Sequence, residues 1–298
     1  MTAAGGGEGV TGLAVVDKEA GWTSHDVVAR CRRIFAQRRA GHAGTLDPDA
    51  TGVLLVGLGR ATRLLRFLTP LPKTYEGEIV LGTATTTLDA AGEVTGTWEM
   101  DGVTLADVRA AAQGLSGDIL QVPPMVSALK VGGRRLHELA RQGVEVERVA
   151  RPVTVHRFDV AEGTGPGRFA FEVECSSGTY VRSLADDLGR ALGGGAHLGL
   201  LRRTRIGSFG VADARKLDQL GPSDVLPPAE ALRHLDGVTV DPEIELAVRR
   251  GLALDRVPLG MTGPGPWRVL DGDGSLLAVY EATETDRVRP VVVLAGAG

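Results

Sequence analysis

The chain has 298 residues, 43% of them hydrophobic and 23% charged, with a formal net charge of −4. This length holds one large domain, or a medium domain and a small one, and the balance of apolar and charged residues excludes a largely disordered chain. No run approaches 18 uninterrupted apolar residues, so no transmembrane helix is expected.

Met1 to Gly12 is Gly-rich, without a basic start or an apolar run, and does not read as a secretory signal. Leu13 to Val16 predicts a short strand. Gly21-Trp22-Thr23-Ser24 then reads as a turn and helix start, with Val27, Val28, Cys31, Ile34 and Phe35 as the apolar stripe of the helix. From Tyr75 to Leu81 the period becomes two, with Tyr75, Gly77, Ile79 and Leu81 on one face. A second alternating strand carries Phe169, Phe171, Val173 and Cys175 and ends at the turn Ser176-Ser177-Gly178. A helix follows, with Val181, Leu184, Ala185, Leu188 and Leu192 facing inward. Near residue 220, Gly221-Pro222 and Pro227-Pro228 mark a boundary, with 221–236 expected as a linker. Beyond it, Asp271-Gly272-Asp273-Gly274 between Arg268–Leu270 and Leu276–Tyr280 signals a hairpin in a small β-rich module, 237–298. Strands and helices mix without a βαβ repeat, so the fold class is α+β.

Cys31 and Cys175 are too few for a disulfide framework or a cysteine zinc site, and a reducing cytoplasm is the natural setting. Only four of the 33 basic residues are lysine, which with 42 glycines points to a GC-rich genome. Charge is segregated: residues 27–75 carry nine basic groups against two acids, and 76–125 eight acids against Arg109 alone. A basic segment of this kind fits a nucleic-acid partner despite the negative total.

The most distinctive stretch is Gly41-His42-Ala43-Gly44-Thr45-Leu46-Asp47-Pro48-Asp49-Ala50-Thr51-Gly52. It imitates an EF-hand loop, but Leu58 stands where the bidentate glutamate belongs. Gly57-Leu58-Gly59 is no dinucleotide fingerprint, because Thr62 replaces the third glycine, and no Gly-Lys-Ser/Thr follows for a P-loop. The six histidines show no metal-ligand spacing, and no Gly-x-Ser-x-Gly elbow is present. Asp47-Pro48 could be an ordinary turn. An acid inside a basic segment, framed by glycines that admit a ligand backbone, points instead to chemistry at Asp47.

This motif resembles the catalytic motif of the TruB family of tRNA pseudouridine synthases. Val16-Asp17-Lys18-Glu19-Ala20-Gly21-Trp22-Thr23-Ser24 is similar to the family's opening, with Glu19 where proline is usual. Lys73-Thr74-Tyr75 and Leu81-Gly82-Thr83-Ala84-Thr85-Thr86-Thr87-Leu88-Asp89 resemble its second motif. Gln121-Val122-Pro123-Pro124-Met125-Val126-Ser127-Ala128-Leu129-Lys130 resembles its RNA-contacting insert, about 121–151. Cys175-Ser176-Ser177-Gly178-Thr179-Tyr180-Val181-Arg182, Gly195-Ala196-His197-Leu198 and Leu201-Arg202-Arg203-Thr204 complete the set.

The resemblance implies a pseudouridine synthase fold over 1–220: a mixed, largely antiparallel sheet with flanking helices and a central cleft, followed by a PUA-like RNA-binding module at 237–298. It implies that a uridine, at position 55 of the tRNA T-loop, is detached at N1, rotated and rejoined through C5. No electrons transfer, so neither cofactor nor metal is required. The base must first leave the stack. Asp47 is the catalytic carboxylate, acting on C1′ of the ribose, on C6 of the base, or by elimination to a glycal. Arg182 pairs with Asp47, Tyr75 stacks on the flipped base, and Tyr180 and Leu201 line the pocket. His42 lies near the flipped nucleotide. Lys130 and Arg202 contact RNA, and Arg30, Arg33, Arg38, Arg39, Arg60, Arg63, Arg134, Arg135, Arg141 and Arg203 fit backbone positioning. The partner is the tRNA T-arm, met by a monomer without guide RNA or membrane. Two rival readings stay open, a non-catalytic RNA-binding or tRNA-folding chaperone and a guide-RNA-dependent synthase of the same superfamily.

Overall fold

A computed structural model describes residues 9–294 apart from 128, 129, 132, 136–141, 143 and 145. In chain order the main elements are β1 (Gly12–Lys18), α1 (Ser24–Ile34), β2 (Ala40–Ala43), β3 (Thr51–Leu58), β4 (Lys73–Leu81), α2 (Leu105–Gly114), β5 (Gly117–Gln121) and β6 (Arg151–Glu162). There follow β7 (Arg168–Cys175), α3 (Val181–Ala191), β8 (Ala196–Ile206), β9 (Val225–Leu226), β10 (Gly237–Thr239), α4 (Pro242–Arg249), β11 (Leu254–Asp255), β12 (Trp267–Leu270), β13 (Leu276–Ala282) and β14 (Arg287–Val293). The class is α+β, with largely antiparallel pairing, as the mixed pattern predicts. The chain divides into two compact units. One takes the residues up to Pro48, Gly52–Pro70 and everything from Gly207 onward; the other takes Asp49–Thr51 and Leu71–Ile206.

In the first unit β1 and β3 pair antiparallel, from Gly12 opposite Leu58 to Lys18 opposite Gly52. β2 pairs with the second half of β3. Thr23 caps α1: its hydroxyl accepts the Asp26 N–H at 3.1 Å, and the Asp26 carboxylate accepts the Thr23 N–H at 3.0 Å. The helix then lays Val27, Val28 and Cys31 on Ala14, Val16, Leu54, Val56 and Leu58, one face of the β1–β3 pair. The expected linker is part of this body. Val225 and Leu226 form β9 and pair with Ala14 and Leu13, because the edge of β1 offers backbone groups that need partners. The last 58 described residues build a five-stranded sheet, in order β10-β12-β13-β14-β11. Its core is Trp267, Tyr280, Val269, Leu277 and Val288, with Val248 from α4. The predicted hairpin is β12–β13, and Asp271 closes its turn by accepting the N–H groups of Asp273 (3.0 Å) and Ser275 (2.8 Å).

In the second unit the order is β8-β4-β7-β6-β5, antiparallel throughout. α3 packs on β8 and α2 on β6. β7 buries Phe169, Phe171, Val173 and Cys175, the face its alternation predicts. β4 departs from its pattern at Glu78, which is buried on the face expected to be polar. Its carboxylate accepts from the Thr164 hydroxyl (2.6 Å) and N–H (3.2 Å) and from Arg168 (2.5 Å). The Thr164 hydroxyl above all, with Arg168, holds this carboxyl below its usual range against the opposing effect of burial. A depressed folded value means stability present above the unfolded value of about 4.5 and lost as pH falls through the folded one. Urea midpoints should therefore fall more steeply below pH 4.5 for wild type than for Glu78→Gln. Parallel pH profiles for the two proteins would contradict this assignment.

Candidate active site

Asp47 lies half-buried on the loop between β2 and β3, and its neighbours on both sides are tied down. The Lys18 ammonium, fully buried at the end of β1, donates to the carbonyls of Trp22 (2.7 Å), Pro48 (2.8 Å) and Glu19 (3.0 Å). The Gly21 N–H also reaches the Pro48 carbonyl, at 3.0 Å. On the other side the Leu46 N–H donates to the Ser24 hydroxyl at 2.9 Å, and that hydroxyl donates back to the Leu46 carbonyl at 3.2 Å. Gly44 and Gly52, at φ of 84° and 99°, make the left-handed bends that admit and release the loop. One β-strand end and one helix start thus fix the backbone on either side of Asp47. Within the same unit His42, on β2, meets His25 edge-on, with ring centroids 5.4 Å apart.

The second unit carries the other expected residues. Tyr75 is buried on β4, directly opposite Arg203 of β8. The Arg203 guanidinium stands 6.0 Å from the Tyr75 ring centroid. Arg203 is only 1% exposed, so the expected surface phosphate contact is instead a buried cation beside an aromatic ring. Lys73, two residues before Tyr75 on the same face of β4, is also buried and donates to the Leu71 carbonyl at 2.7 Å. Burial foremost, with the nearby Arg203 charge, lowers its pKa to about 8. Leu201 is half-buried opposite Gly77. Arg202 lies 4.0 Å from Glu76 and donates to the Thr51 hydroxyl at 3.5 Å. Lys130 pairs with Arg135 in a two-residue hairpin; the Lys130 side chain and all of Arg141 lie outside the described residues.

Arg182 occupies the first turn of α3 and is 5% exposed. It donates to the carbonyls of Val126 (2.9 Å) and Thr87 (3.0 Å), and Asp89 lies 3.5 Å away. Tyr180, at the cap of the same helix, is clamped at two points by the Gln121 amide. Its N–H reaches the Gln121 carbonyl oxygen at 2.7 Å, and its carbonyl receives the Gln121 NH₂ at 3.1 Å. The Ser183 hydroxyl adds a bond to the Val122 carbonyl at 3.1 Å. Residues 121–126, the entry to the insert, are therefore strapped to the turn that carries Arg182. Lys18, Ser24, Asp89 and Gln121 all lie inside the sequence motifs, yet the motifs alone do not reveal their roles. Gln121 stands out between the apolar Leu120 and Val122; Lys18 and Ser24 stand among polar residues and carry no such signal. Among the described residues no cluster of three or more His, Cys, Asp or Glu is placed to hold a metal ion, and no helix is long and apolar enough to cross a membrane.

The fold and this arrangement have clear relatives. Residues 32–181 match the N-terminal domain of TruB family pseudouridylate synthases, and 182–234 the C-terminal domain of tRNA pseudouridylate synthase B. A tRNA pseudouridine synthase B of Mycobacteroides abscessus is 48% identical, over 95% of this chain and 96% of its own. One from Nocardia farcinica is 49% identical, over 95% and 93%. Among solved structures, a chain of a Cbf5-Nop10-Gar1 complex superposes with TM-score 0.73 at 28% identity, covering 95% of this chain and 84% of that one. A chain from an H/ACA RNP bound to a substrate RNA containing 2′-deoxyuridine gives 0.72 at 27%, over 96% and 84%. The chain belongs to the TruB family of pseudouridylate synthases.

The pinned loop generates a stability prediction. Lys18→Met keeps the length of the side chain but takes this donor from the carbonyls of Glu19 and Trp22 and leaves the Pro48 carbonyl with the Gly21 N–H, at a cost of about 2–4 kcal/mol. Urea unfolding should show that loss in the midpoint. A variant as stable as wild type would mean the three contacts are dispensable.

Proposed function

We propose that this enzyme isomerises uridine 55 in the T-loop of tRNA to pseudouridine, acting as a single chain without guide RNA, metal or organic cofactor. The N1–C1′ bond breaks, the uracil turns, C5 bonds to C1′, the C5 proton leaves to solvent and N1 takes up a proton. Asp47 is the carboxylate that acts as the glycosidic bond breaks, and Arg182 supplies the fixed positive charge the reaction uses. Tyr75 offers its ring to the flipped base; Tyr180 and Leu201 shape the surroundings of the nucleotide, and His42, Lys130 and Arg202 bind RNA. The five-stranded sheet from Gly237 on acts as a PUA-like RNA-binding module. The observation that carries the reading is the Gly41–Gly52 motif, in which Asp47 sits between two residues bonded to β1 and α1. The high coverage of relatives named for action on tRNA favours tRNA over a guided substrate.

Tritium release from C5-labelled uridine in a bare tRNA transcript tests the reading. Wild type should release it with no guide RNA, and Asp47→Asn should not, while binding tRNA within about tenfold of wild type. Residual turnover by Asp47→Asn would remove Asp47 from the chemistry, and an inert wild type would refute the reaction.

Gln121 is a positioning residue in this scheme. Gln121→Ala should lower the single-turnover rate at saturation about tenfold with tRNA affinity within about twofold, because the turn bearing Arg182 loses its clamp. Gln121→Glu keeps the acceptor for the Tyr180 N–H and should fall between the two. A change confined to affinity would refute the positioning role.

A further inference from the structure

A basic groove of about 920 Å³ opens at the far end of the first unit from Asp47. Arg38, Arg39, Arg60 and Arg249 line it, with Asp271 as the acid on its wall. That acid is engaged by its own turn, where it accepts the N–H groups of Asp273 and Ser275. Arg249 is paired with Glu245 at 2.6 Å, and Arg60 gives one nitrogen to the Leu294 carbonyl at 2.9 Å. Arg38 and Arg39 are exposed and form no ion pair among the described residues. The groove therefore presents a positive excess, with the exposed Arg38 and Arg39 in its lining.

Its position follows from strand direction. Thr11, Arg39 and Gly59 adjoin the ends of β1, β2 and β3 that face the groove, while Lys18, the Pro48 loop and Thr51 lie at the other end. Six residue steps along β1 separate the two ends, about 20 Å. A loop held at Asp47 cannot also fill the groove.

We propose that this groove is a second RNA subsite, which takes the phosphodiester backbone of the tRNA outside the T-loop. The proposal rests on the tRNA reading above. Several guanidinium groups lining one groove suit the phosphates of a strand, and the interaction is read by charge and shape without base sequence.

The experiment compares intact tRNA with a T-loop hairpin closed by a minimal stem. Binding is measured against salt for wild type, for the double variant Arg38→Ala/Arg39→Ala, and for Arg157→Ala, an exposed arginine of β6 outside the groove. Wild type should bind intact tRNA more tightly than the hairpin. The double variant should weaken intact tRNA about tenfold at roughly 0.1 M salt and flatten its log–log salt slope by about 2, one for each phosphate that is no longer neutralised. Its hairpin affinity should move less than about twofold, and Arg157→Ala should move neither. Equal weakening on both RNAs, no weakening on either, or the same effect from Arg157→Ala would overturn the subsite. Turnover of the hairpin by wild type reports separately on the proposed reaction, so the two failures are distinguishable.

Discussion

The buried Lys18 ammonium is the constraint on which the geometry around Asp47 depends. An ammonium out of water is tolerated only where its donors are met, and three carbonyls meet them here. Those carbonyls belong to the turn after β1 and to the residue just after Asp47. Ser24 makes the matching bond to the residue just before it, and Ser24 is the first residue of α1. The loop is thus bolted to a strand end and a helix start, two elements that already pack through Val16 and Val27. In the proposed reaction such anchors aim the carboxylate before substrate arrives, the condition under which a charged group accelerates a reaction most.

A different device serves Arg182. A cation in the first turn of a helix stands at the positive end of the helix dipole and is disfavoured there. The first turn of α3 contains no acid to offset it, and Tyr180 provides no side-chain cap. The compensation comes from outside the helix: Asp89 supplies the countercharge, and the carbonyls of Thr87 and Val126 accept from the guanidinium. Gln121, from β5, holds the backbone of the cap residue itself through its N–H and its carbonyl. These partners come from separate stretches of chain, so the guanidinium is placed by the folded unit and not by its helix.

Counting arginines overstates how many face RNA. Arg60 and Arg63 give donors to the carbonyls of Leu294 and Val293 and so hold the last strand, while Arg32 does the same for Ala40. Arg203 is buried against Tyr75. In the sequence each is one more positive charge, and in the fold each is tied to a partner inside the protein. Arg38 and Arg39 keep theirs at the surface, because the chain beyond α1 turns outward there through Ala36 at a φ of 48°.

The local elements and the chemistry-bearing motifs are legible in the order of the residues. The stripe Val27–Cys31, the alternation of Phe169–Cys175 and the Asp-Gly hairpin all form where their periods place them, because burying one face is a local requirement. The Gly41–Gly52 motif marked Asp47 because an acid among arginines, framed by glycines, is unusual at the level of composition. Tertiary structure alone decided which polar residues are buried and with whom. Lys18 and Pro48 are 30 residues apart, Arg182 and Thr87 are 95 apart, and Gln121 and Tyr180 are 59 apart. Nor could the pattern of 221–236 show that Val225 and Leu226 would complete the edge of β1. Pairings at such separations leave no period in the chain, since a hydrogen bond constrains two groups in space and says nothing of the residues between them.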